Sequence, residues 1–310
     1  MPEVIETESP LVHLSNDLAA AVERGGASTV AVHARHRVGS SGVLWRPGIV
    51  ITADHAVRRD DDISITLPDG DTAAARLQGR DPDTDLAVLA VETAGGAQPE
   101  FADAAALKTG NLVVAVARDG EDGVRAASGV ISAVSGPWRT WRGGRIDQFI
   151  SLDLSLYPGF SGGPLVDVLG RVLGINTSAL SRRYDLAIPN STVDRVLDQI
   201  LSGRRPGRGY LGVGMQPVRL SESLRRAAKL DAVGGAIVVA VEPDGPAEKA
   251  GLFIGDIIIG IDGTQVEDTD DVLAQLGSDR VGANVRLRLV RGGQVVEPSV
   301  TIGERPAEQE

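Results

Sequence analysis

Between Ser28 and about Ile188 the chain is a succession of short runs rich in Val, Ile, Leu and Thr, separated by turns that carry Gly, Pro and Asp. About nine such runs follow one another without an intervening helical pattern. This succession favours an all-β sandwich or barrel over a parallel sheet whose strands alternate with helices. We therefore predict that the first domain is mainly β.

Helical spacing appears at both ends of this region. Apolar residues recur every three or four positions between Leu14 and Val22, which predicts a short helix in an N-terminal segment, residues 1–26. A second helix is predicted from Ser191 to Leu201, where it closes a first domain that spans residues 27–201.

A polar Gly/Pro stretch, residues 202–208, cannot continue that helix and is predicted to be a linker. Residues 209–305 then mix strand and helix patterns and include a hairpin turned at Gly292-Gly293. We predict a small α+β domain there, followed by a tail over residues 306–310.

Composition excludes several classes of function. The net charge of −11, from 31 basic and 42 acidic side chains, would repel a phosphate backbone, so we expect no nucleic-acid partner. The absence of Cys excludes disulfides and thiolate metal sites, and no metal or cofactor is predicted.

The N-terminal residues carry acids where a signal peptide carries a basic region, and no apolar stretch approaches the roughly 18 residues of a membrane span. The sequence as written therefore predicts a cytoplasmic protein without a transmembrane segment. The alternative is a periplasmic or extracytoplasmic protein whose N-terminus has been trimmed.

A candidate nucleophile, Ser161, lies among three glycines in a turn between apolar strands. Glycines allow successive backbone N–H groups to point at one place. We expect the N–H groups of Gly159 and Ser161 to form an oxyanion hole, which would hold the charge that develops on an attacked carbonyl.

A serine hydroxyl needs a base, and the chain has four histidines. Only His55 follows directly on a strand end from which a side chain can project into a cleft. Of the other three, His13 lies in the N-terminal segment, and His33 and His36 belong to a basic strand end and are interpreted as solvated.

The base needs an acid to orient it, and the run Asp81-Pro82-Asp83-Thr84-Asp85-Leu86 supplies candidates. Asp85 adjoins an apolar run and is the acid expected to enter the core, whereas Asp81 and Asp83 flank a proline and are interpreted as solvated. Each motif alone could be only a turn or a strand end. Together, in the order His, Asp, Ser of chymotrypsin-type proteases, they predict a catalytic triad.

These motifs resemble those of the HtrA/Deg serine proteases over about Ala27 to Gly303. The histidine motif appears as ITADHAV and the aspartate motif as DTDLAVL, while the GSGV motif appears as Ser40-Ser41-Gly42-Val43. The closing FAIP motif appears as Leu186-Ala187-Ile188-Pro189. The nucleophile motif, commonly GNSGGPL, carries Phe160 in place of Asn, and a bulky ring beside the nucleophile can alter the cleft.

The resemblance implies a chymotrypsin/trypsin-like double β-barrel followed by a PDZ domain. It also implies an endopeptidase that acts on unfolded or misfolded proteins, quality control, PDZ-regulated activity and a homotrimer. The base of the S1 pocket would be Ser155, with a wall near Asn176 and Thr177, which predicts small or medium uncharged P1 residues.

In the second domain the resemblance assigns the loop Tyr210-Leu211-Gly212-Val213 to the capture of a C-terminal carboxylate. The helix around residues 270–276 would form the other wall of the peptide groove, with Val272, Leu273 and Leu276 as its apolar side chains.

Two alternatives remain at this point. The first is a catalytically quiescent peptide-binding or chaperone-like protein with a collapsed oxyanion loop, and Phe160 is its only support. The second is an esterase of the α/β-hydrolase type, which would require a strand-to-helix turn in a parallel sheet.

Overall fold

The computed structural model describes residues 9–35, 39–92, 97–118, 120, 123–140, 142–203, 209–277 and 280–304. His36 and most of the predicted linker lie outside the described residues. The chain divides into two compact units between residues 205 and 206. We call them the barrel domain and the C-terminal domain.

The barrel domain contains two closed six-stranded barrels. The strands of the first, in the spatial order β1-β2-β3-β6-β5-β4, are β1 Thr29–His33, β2 Ser40–Arg46, β3 Ile49–Ala53, β4 Ile63–Thr66, β5 Thr72–Asp81 and β6 Leu86–Val91. The later strands of this domain are β7 Leu112–Ala117, β8 Arg125–Ser135, β9 Trp138–Arg139, β10 Arg145–Ile146, β11 Phe149–Asp153, β12 Pro164–Asp167, β13 Val172–Thr177 and β14 Asp185–Pro189. The second barrel has the order β11-β14-β13-β12-β7-β8, and β9 pairs with β10 separately.

This architecture confirms the prediction of a mainly β first domain. Every strand pair among the described residues is antiparallel, apart from one isolated bridge between Phe101 and Val172. The described residues therefore contain no parallel sheet for the hydrolase elbow that the esterase alternative requires.

Several strands are continuous apolar runs because both of their faces are buried. In β3 and β6, one set of side chains, including Val50 and Leu89, fills the first barrel. The alternate set, including Ile51 and Val88, packs in a second cluster with Val116 and residues of the second barrel. The triad segments therefore leave the ends of strands that the core holds rigidly.

Two helices pack on the barrels. Helix α1, Pro10–Gly26, starts before the predicted periodicity, with Ser9 as its N-cap, and its last turn lies against Val116 and Val166. Helix α2, Asn190–Leu201, confirms the predicted closing helix, and its apolar face is buried as expected. A one-turn 3₁₀ helix, Asp54–Ala56, follows β3 directly, and another spans Ala104–Ala106.

The C-terminal domain is α+β, as predicted. Its strands are β15 Gly209–Tyr210, β16 Val213–Arg219, β17 Gly234–Val241, β18 Ile257–Ile261, β19 Thr264–Gln265, β20 Asn284–Arg291, β21 Gln294–Val296, β22 Ser299–Thr301 and β23 Gly303–Glu304. Its helices are α3 Glu222–Ala228, α4 Pro246–Lys249 and α5 Thr269–Ala274. The main sheet runs β16-β17-β18-β20-β21, which leaves β16 at an edge beside α5. No helix in the described part of the chain has the length and hydropathy to cross a membrane.

Candidate active site

His55 and Asp85 meet because β3 and β6 are paired neighbours. The last residue of β3, Ala53, lies opposite the first residue of β6, Leu86, so the residues just beyond these strand ends adjoin. His55 Nδ1 lies 2.9 Å from both carboxylate oxygens of Asp85, and the His55 backbone N–H donates to Asp85 Oδ1 at 2.9 Å. Two of the predicted triad residues are thus in direct contact.

The Asp85 carboxylate is buried and anchored from two sides. Only 4% of the residue is exposed, and its Oδ2 accepts a hydrogen bond from Thr177 Oγ1 at 2.5 Å. The backbone carbonyl of Asp85 accepts from the Asp54 N–H at 3.1 Å. An acid fixed in this way would keep the proton of His55 on Nδ1 and leave Nε2 as a proton acceptor.

Ser161 lies in a loop of the second barrel that packs on β3. The structure places its Oγ 3.2 Å from Ser178 Oγ, and among the described residues that hydroxyl bonds to Ser178 and not to His55. A Cβ atom on Gly162 would lie 2.1 Å from the Ser41 carbonyl oxygen and 2.5 Å from Thr52 Oγ1. The nucleophile loop therefore abuts the strand that leads to His55.

The predicted oxyanion loop is a type II turn. The Phe160 N–H donates to the Tyr157 carbonyl at 3.0 Å, with Pro158 second and Gly159 third in the turn, and Gly159 has φ +97°. The Pro158 carbonyl lies 3.5 Å from Arg125 Nη1, so the Gly159 N–H of the same trans peptide points the other way.

The two N–H groups of the predicted oxyanion hole are available. Within the described part of the chain, the backbone N–H groups of Gly159 and Ser161 donate to no protein acceptor. Gly159 and Ser161 are both buried, so an oxygen placed between these donors would be largely screened from water.

Ser41 holds the loop of Gly159 and Ser161 in place by hydrogen bonds, a role that was not predicted from the sequence. Its Oγ donates to the Gly159 carbonyl at 2.7 Å and accepts from the Arg118 N–H at 2.9 Å. Its backbone N–H donates to the Ser161 carbonyl at 3.2 Å. The GSGV-like motif was visible in the sequence, but nothing local shows that its serine reaches the second barrel.

Replacing Ser41 with Ala is expected to lower kcat about tenfold, because the Gly159 carbonyl and the Arg118 N–H lose their buried partner. KM should change much less, because the loop acts on the transition state. The matched control is Ser40→Ala: that neighbouring hydroxyl is equally buried and has no hydrogen-bond partner in the described structure. Steady-state peptide hydrolysis and thermal unfolding of both variants check this, and equal kcat values would contradict it.

Phe160 packs inward, away from the cleft. The residue is 1% exposed and belongs to the core of the second barrel, with its ring centroid 6.0 Å from that of Tyr157. The ring of Phe160 therefore lies in the core of the second barrel and does not project into the cleft. The quiescent alternative loses its only support.

The expected wall of the S1 pocket requires correction. Asn176 and Thr177 have no exposed surface; Asn176 Nδ2 donates to the Pro164 carbonyl at 2.9 Å, and Thr177 bonds to Asp85. Neither side chain can line an open pocket. The next two residues, Ser178 and Ala179, are exposed, as is Ser155. All residues of β13 are buried, which explains why the side chains of its last two residues point into the protein interior.

Two predictions of solvated side chains are also wrong. His33 is half-buried, with Nε2 2.9 Å from Thr66 Oγ1, whereas His13 is exposed. Asp81 is 6% exposed; its carboxylate accepts from Thr84 Oγ1 at 2.7 Å and from the Asp83 N–H at 3.1 Å. Burial, partly offset by the Thr84 hydrogen bond, raises the pKa of Asp81 to about 6.

Asp81 is expected to make the barrel domain less stable as pH rises. A carboxyl whose pKa is 3.8 unfolded and about 6 folded binds its proton more tightly in the folded state, so stability is lost between about pH 4 and 6. Asp81→Asn should remove this loss and raise the free energy of unfolding at pH 7 by on the order of 3 kcal/mol. Urea unfolding from pH 4 to 8 measures it; parallel curves for the two proteins would contradict the expectation.

The loop Tyr210-Leu211-Gly212-Val213 leads into β16. The Leu211 carbonyl accepts from the Ala247 N–H at 2.7 Å, and the Gly212 carbonyl accepts from the Glu242 N–H at 2.9 Å. The N–H groups of Leu211 and Gly212 donate to no acceptor in the described structure. This leaves donors of the kind that a terminal carboxylate requires.

The apolar residues predicted for the groove lie on α5 or just after it. Val272 and Leu276 are buried in the core of the C-terminal domain, and Leu273 is partly exposed. A Cβ atom on Gly209 would lie 2.7 Å from the Leu276 carbonyl oxygen, so the end of this segment adjoins the loop.

Comparison with known families matches both domains. Residues 40–175 match the trypsin-like peptidase domain, and residues 209–302 match the PDZ domain. Two curated relatives carry the name "Probable periplasmic serine endoprotease DegP-like". That of Halomonas elongata is 33% identical over 280 residues, which are 89% of this chain and 58% of the relative. That of Brucella suis is 35% identical over 275 residues, 86% and 53% respectively.

The similar solved structures include the HtrA-type protease AlgW with a decapeptide, at a TM-score of 0.73 and 27% identity, with 94% of this chain and 99% of that chain covered. The serine endoprotease from Yersinia pestis gives a TM-score of 0.72 at 28% identity, with 93% and 98% covered. The chain spans little more than half the length of the curated relatives that it matches.

Proposed function

Because this chain belongs to the HtrA/Deg family, in which a trypsin-like protease domain is joined to a PDZ domain, we propose that it is a serine endopeptidase. The observation that carries the proposal is the His55–Asp85 contact at 2.9 Å, set beside a serine loop with two available N–H donors.

In the proposed reaction Ser161 Oγ attacks a peptide carbonyl while His55 Nε2 takes the hydroxyl proton. Asp85 holds the resulting imidazolium, and the N–H groups of Gly159 and Ser161 hold the oxyanion. His55 then protonates the departing amine, which leaves an acyl-enzyme. Water, deprotonated by the same imidazole, hydrolyses the ester and restores Ser161.

The hydroxyl of Ser161 must leave Ser178 for this to happen. Catalytic hydrogen bonds are often loose in a free enzyme and tighten only when substrate is bound. A peptide that occupies the exposed surface at Ser178 and Ala179 would displace the 3.2 Å contact and turn Ser161 Oγ towards His55.

The substrates we propose are unfolded or misfolded proteins, because these expose extended segments that could reach the serine loop. At P1 we propose small or medium uncharged side chains, since Ser155 places no acid at the expected pocket base. The proposed role is protein quality control, with peptides that end in a free carboxylate bound at the C-terminal domain.

The substrate class is tested by giving the purified protein one disulfide-containing substrate in two forms, native and reduced-alkylated. We expect the unfolded form to be cut much faster, with cleavage sites after uncharged P1 residues when the products are mapped by mass spectrometry. Cleavage of neither form, or cleavage chiefly after Lys or Arg, would contradict the proposal.

We also propose a homotrimer and an extracytoplasmic location. The two curated relatives are named as periplasmic proteins, which favours an extracytoplasmic location over the cytoplasmic one. Light scattering should give three times the 32.3 kDa chain mass for the trimer, and a monomer mass would contradict it.

A further inference from the structure

Strand β16 lies at the open edge of the sheet in the C-terminal domain, where a peptide could add a further strand. An edge strand offers such a peptide only the backbone groups of alternate residues, because the others face the neighbouring strand. Which residues of β16 face outward therefore decides how far a peptide can pair.

Backbone hydrogen bonds at the two ends of β16 settle this alternation. Gly212 accepts from the Glu242 N–H at 2.9 Å, and the Leu220 N–H donates to Val233 at 3.1 Å, so the even-numbered residues face β17. Val238, which lies opposite Met215, donates its N–H to the Asp256 carbonyl and accepts from the Gly255 N–H. Its backbone groups are therefore bonded away from Met215. The odd-numbered residues of β16 therefore face the open edge.

The residues of β16 whose backbone groups point to the open edge are Val213, Met215, Pro217 and Arg219. Pro217 has no N–H group, because its ring nitrogen is fully substituted. The register puts it opposite Ala236, in the position that makes no hydrogen bond to β17. A sheet tolerates proline at such an edge position, because β17 loses no hydrogen bond. A strand added at the open edge, in contrast, lacks one donor.

We infer that Pro217 interrupts the backbone ladder of a bound peptide, so that this domain reads little beyond the last four residues of its ligand. The inference rests on the proposed peptide groove. With the terminal carboxylate at Leu211 and Gly212, the last residue lies opposite Val213 and the third from last opposite Met215. The fifth from last then lies opposite Pro217, which offers its carbonyl no donor, so this pair keeps at most the one hydrogen bond that the Pro217 carbonyl can accept.

Upstream residues of a ligand therefore add little affinity at the backbone level. A short apolar segment that ends in a free carboxylate is enough for recognition, which suits the exposed C-terminus of an unfolded chain of any upstream sequence. The proposed ligand class is accordingly defined by its terminus and not by a long motif.

The test measures the affinity of two nested peptides for the full chain carrying Ser161→Ala, so that neither peptide can be cleaved. The probes are acetyl-Val-Val-Leu and acetyl-Ala-Ala-Ala-Ala-Val-Val-Leu, both with free carboxylates and also as C-terminal amides. We expect the dissociation constants of the two acids to differ by less than about twofold, and the amides not to bind.

Pro217→Ala restores an outward N–H and should tighten the longer acid roughly threefold while leaving the shorter one unchanged. The matched control is Gln216→Ala, which alters an exposed side chain of the same strand whose backbone faces β17. Thermal unfolding of each variant checks that the domain is intact.

A longer peptide that binds the unsubstituted Pro217 protein tenfold tighter would overturn the inference, as would a Pro217→Ala protein without a length effect. Absence of binding by either acid would instead overturn the proposed peptide groove. Proteolysis enters neither measurement, so these results are independent of the proposed catalytic activity.

Discussion

Replacing Ser161 with Ala is expected to lower kcat for peptide hydrolysis by about 10⁶-fold, because the acyl-enzyme can no longer form. His55, Asp85 and the two N–H donors would remain in place, so binding of an unfolded substrate should persist. Progress curves with a fluorogenic peptide, measured on identically purified proteins, give the ratio.

The matched control for this variant is Ser178→Ala. It removes the hydroxyl that contacts Ser161 Oγ at 3.2 Å and leaves the nucleophile intact. We expect its kcat to equal or modestly exceed that of the unsubstituted protein, since Ser161 loses a competing partner. Equal turnover by Ser161→Ala and the unsubstituted protein would show that the measured hydrolysis comes from another residue or from a contaminant.

Replacing Gly162 with Ala is expected to destabilise the barrel domain by on the order of 4 kcal/mol. The new Cβ would lie 2.1 Å from the Ser41 carbonyl oxygen and 2.9 Å from the Ala53 nitrogen, both backbone atoms. Gly162 also has φ +87°, a region that other residues avoid. The nucleophile loop would have to leave β3, so activity should be lost together with stability.

Gly110→Ala separates these two effects. Gly110 has φ +90°, but a Cβ there would meet nothing within 4 Å, so only the backbone strain remains. Its cost should be about 1–2 kcal/mol, with activity retained. Urea unfolding followed by tryptophan fluorescence, to which the buried Trp45 contributes, compares the two variants. Similar losses for both would mean that close packing of the loop on β3 is not important.

The fold class was predictable because it depends on local patterns. Short apolar runs with turn residues between them identify the strands, and the unbroken runs of β3 and β6 arise because both faces of these strands are buried. Contact between His55 and Asp85 was also predictable in outline, since each residue lies within two positions of a strand end.

Other features depend on contacts between distant segments and could not be predicted from the sequence. The hydroxyl of Ser41 reaches Gly159 from 118 positions away. Thr177 was expected to line a substrate pocket, but it is turned to Asp85 by the closure of the second barrel against the first. Asp81 looked like a loop acid beside a proline, yet the turn folds its carboxylate inward onto Thr84.

Pro217 illustrates the opposite case. Once the strand pairing is known, the residue type alone shows that a backbone donor is missing at this position. From sequence alone, a proline in a strand indicates only an edge or a bulge. The hydrogen bonds at the two ends of β16 show that the missing donor lies on its open side and not on the side of β17.

The identity of the nucleophile is tested most directly by covalent labelling with diisopropyl fluorophosphate, followed by mass spectrometry of the intact protein and of its proteolytic fragments. We expect one adduct per chain, located on Ser161, and a strongly reduced rate of labelling in the His55→Ala variant. A label on any other residue, or an unlabelled Ser161 in a preparation that still cleaves unfolded protein, would contradict the assignment of Ser161 as the nucleophile.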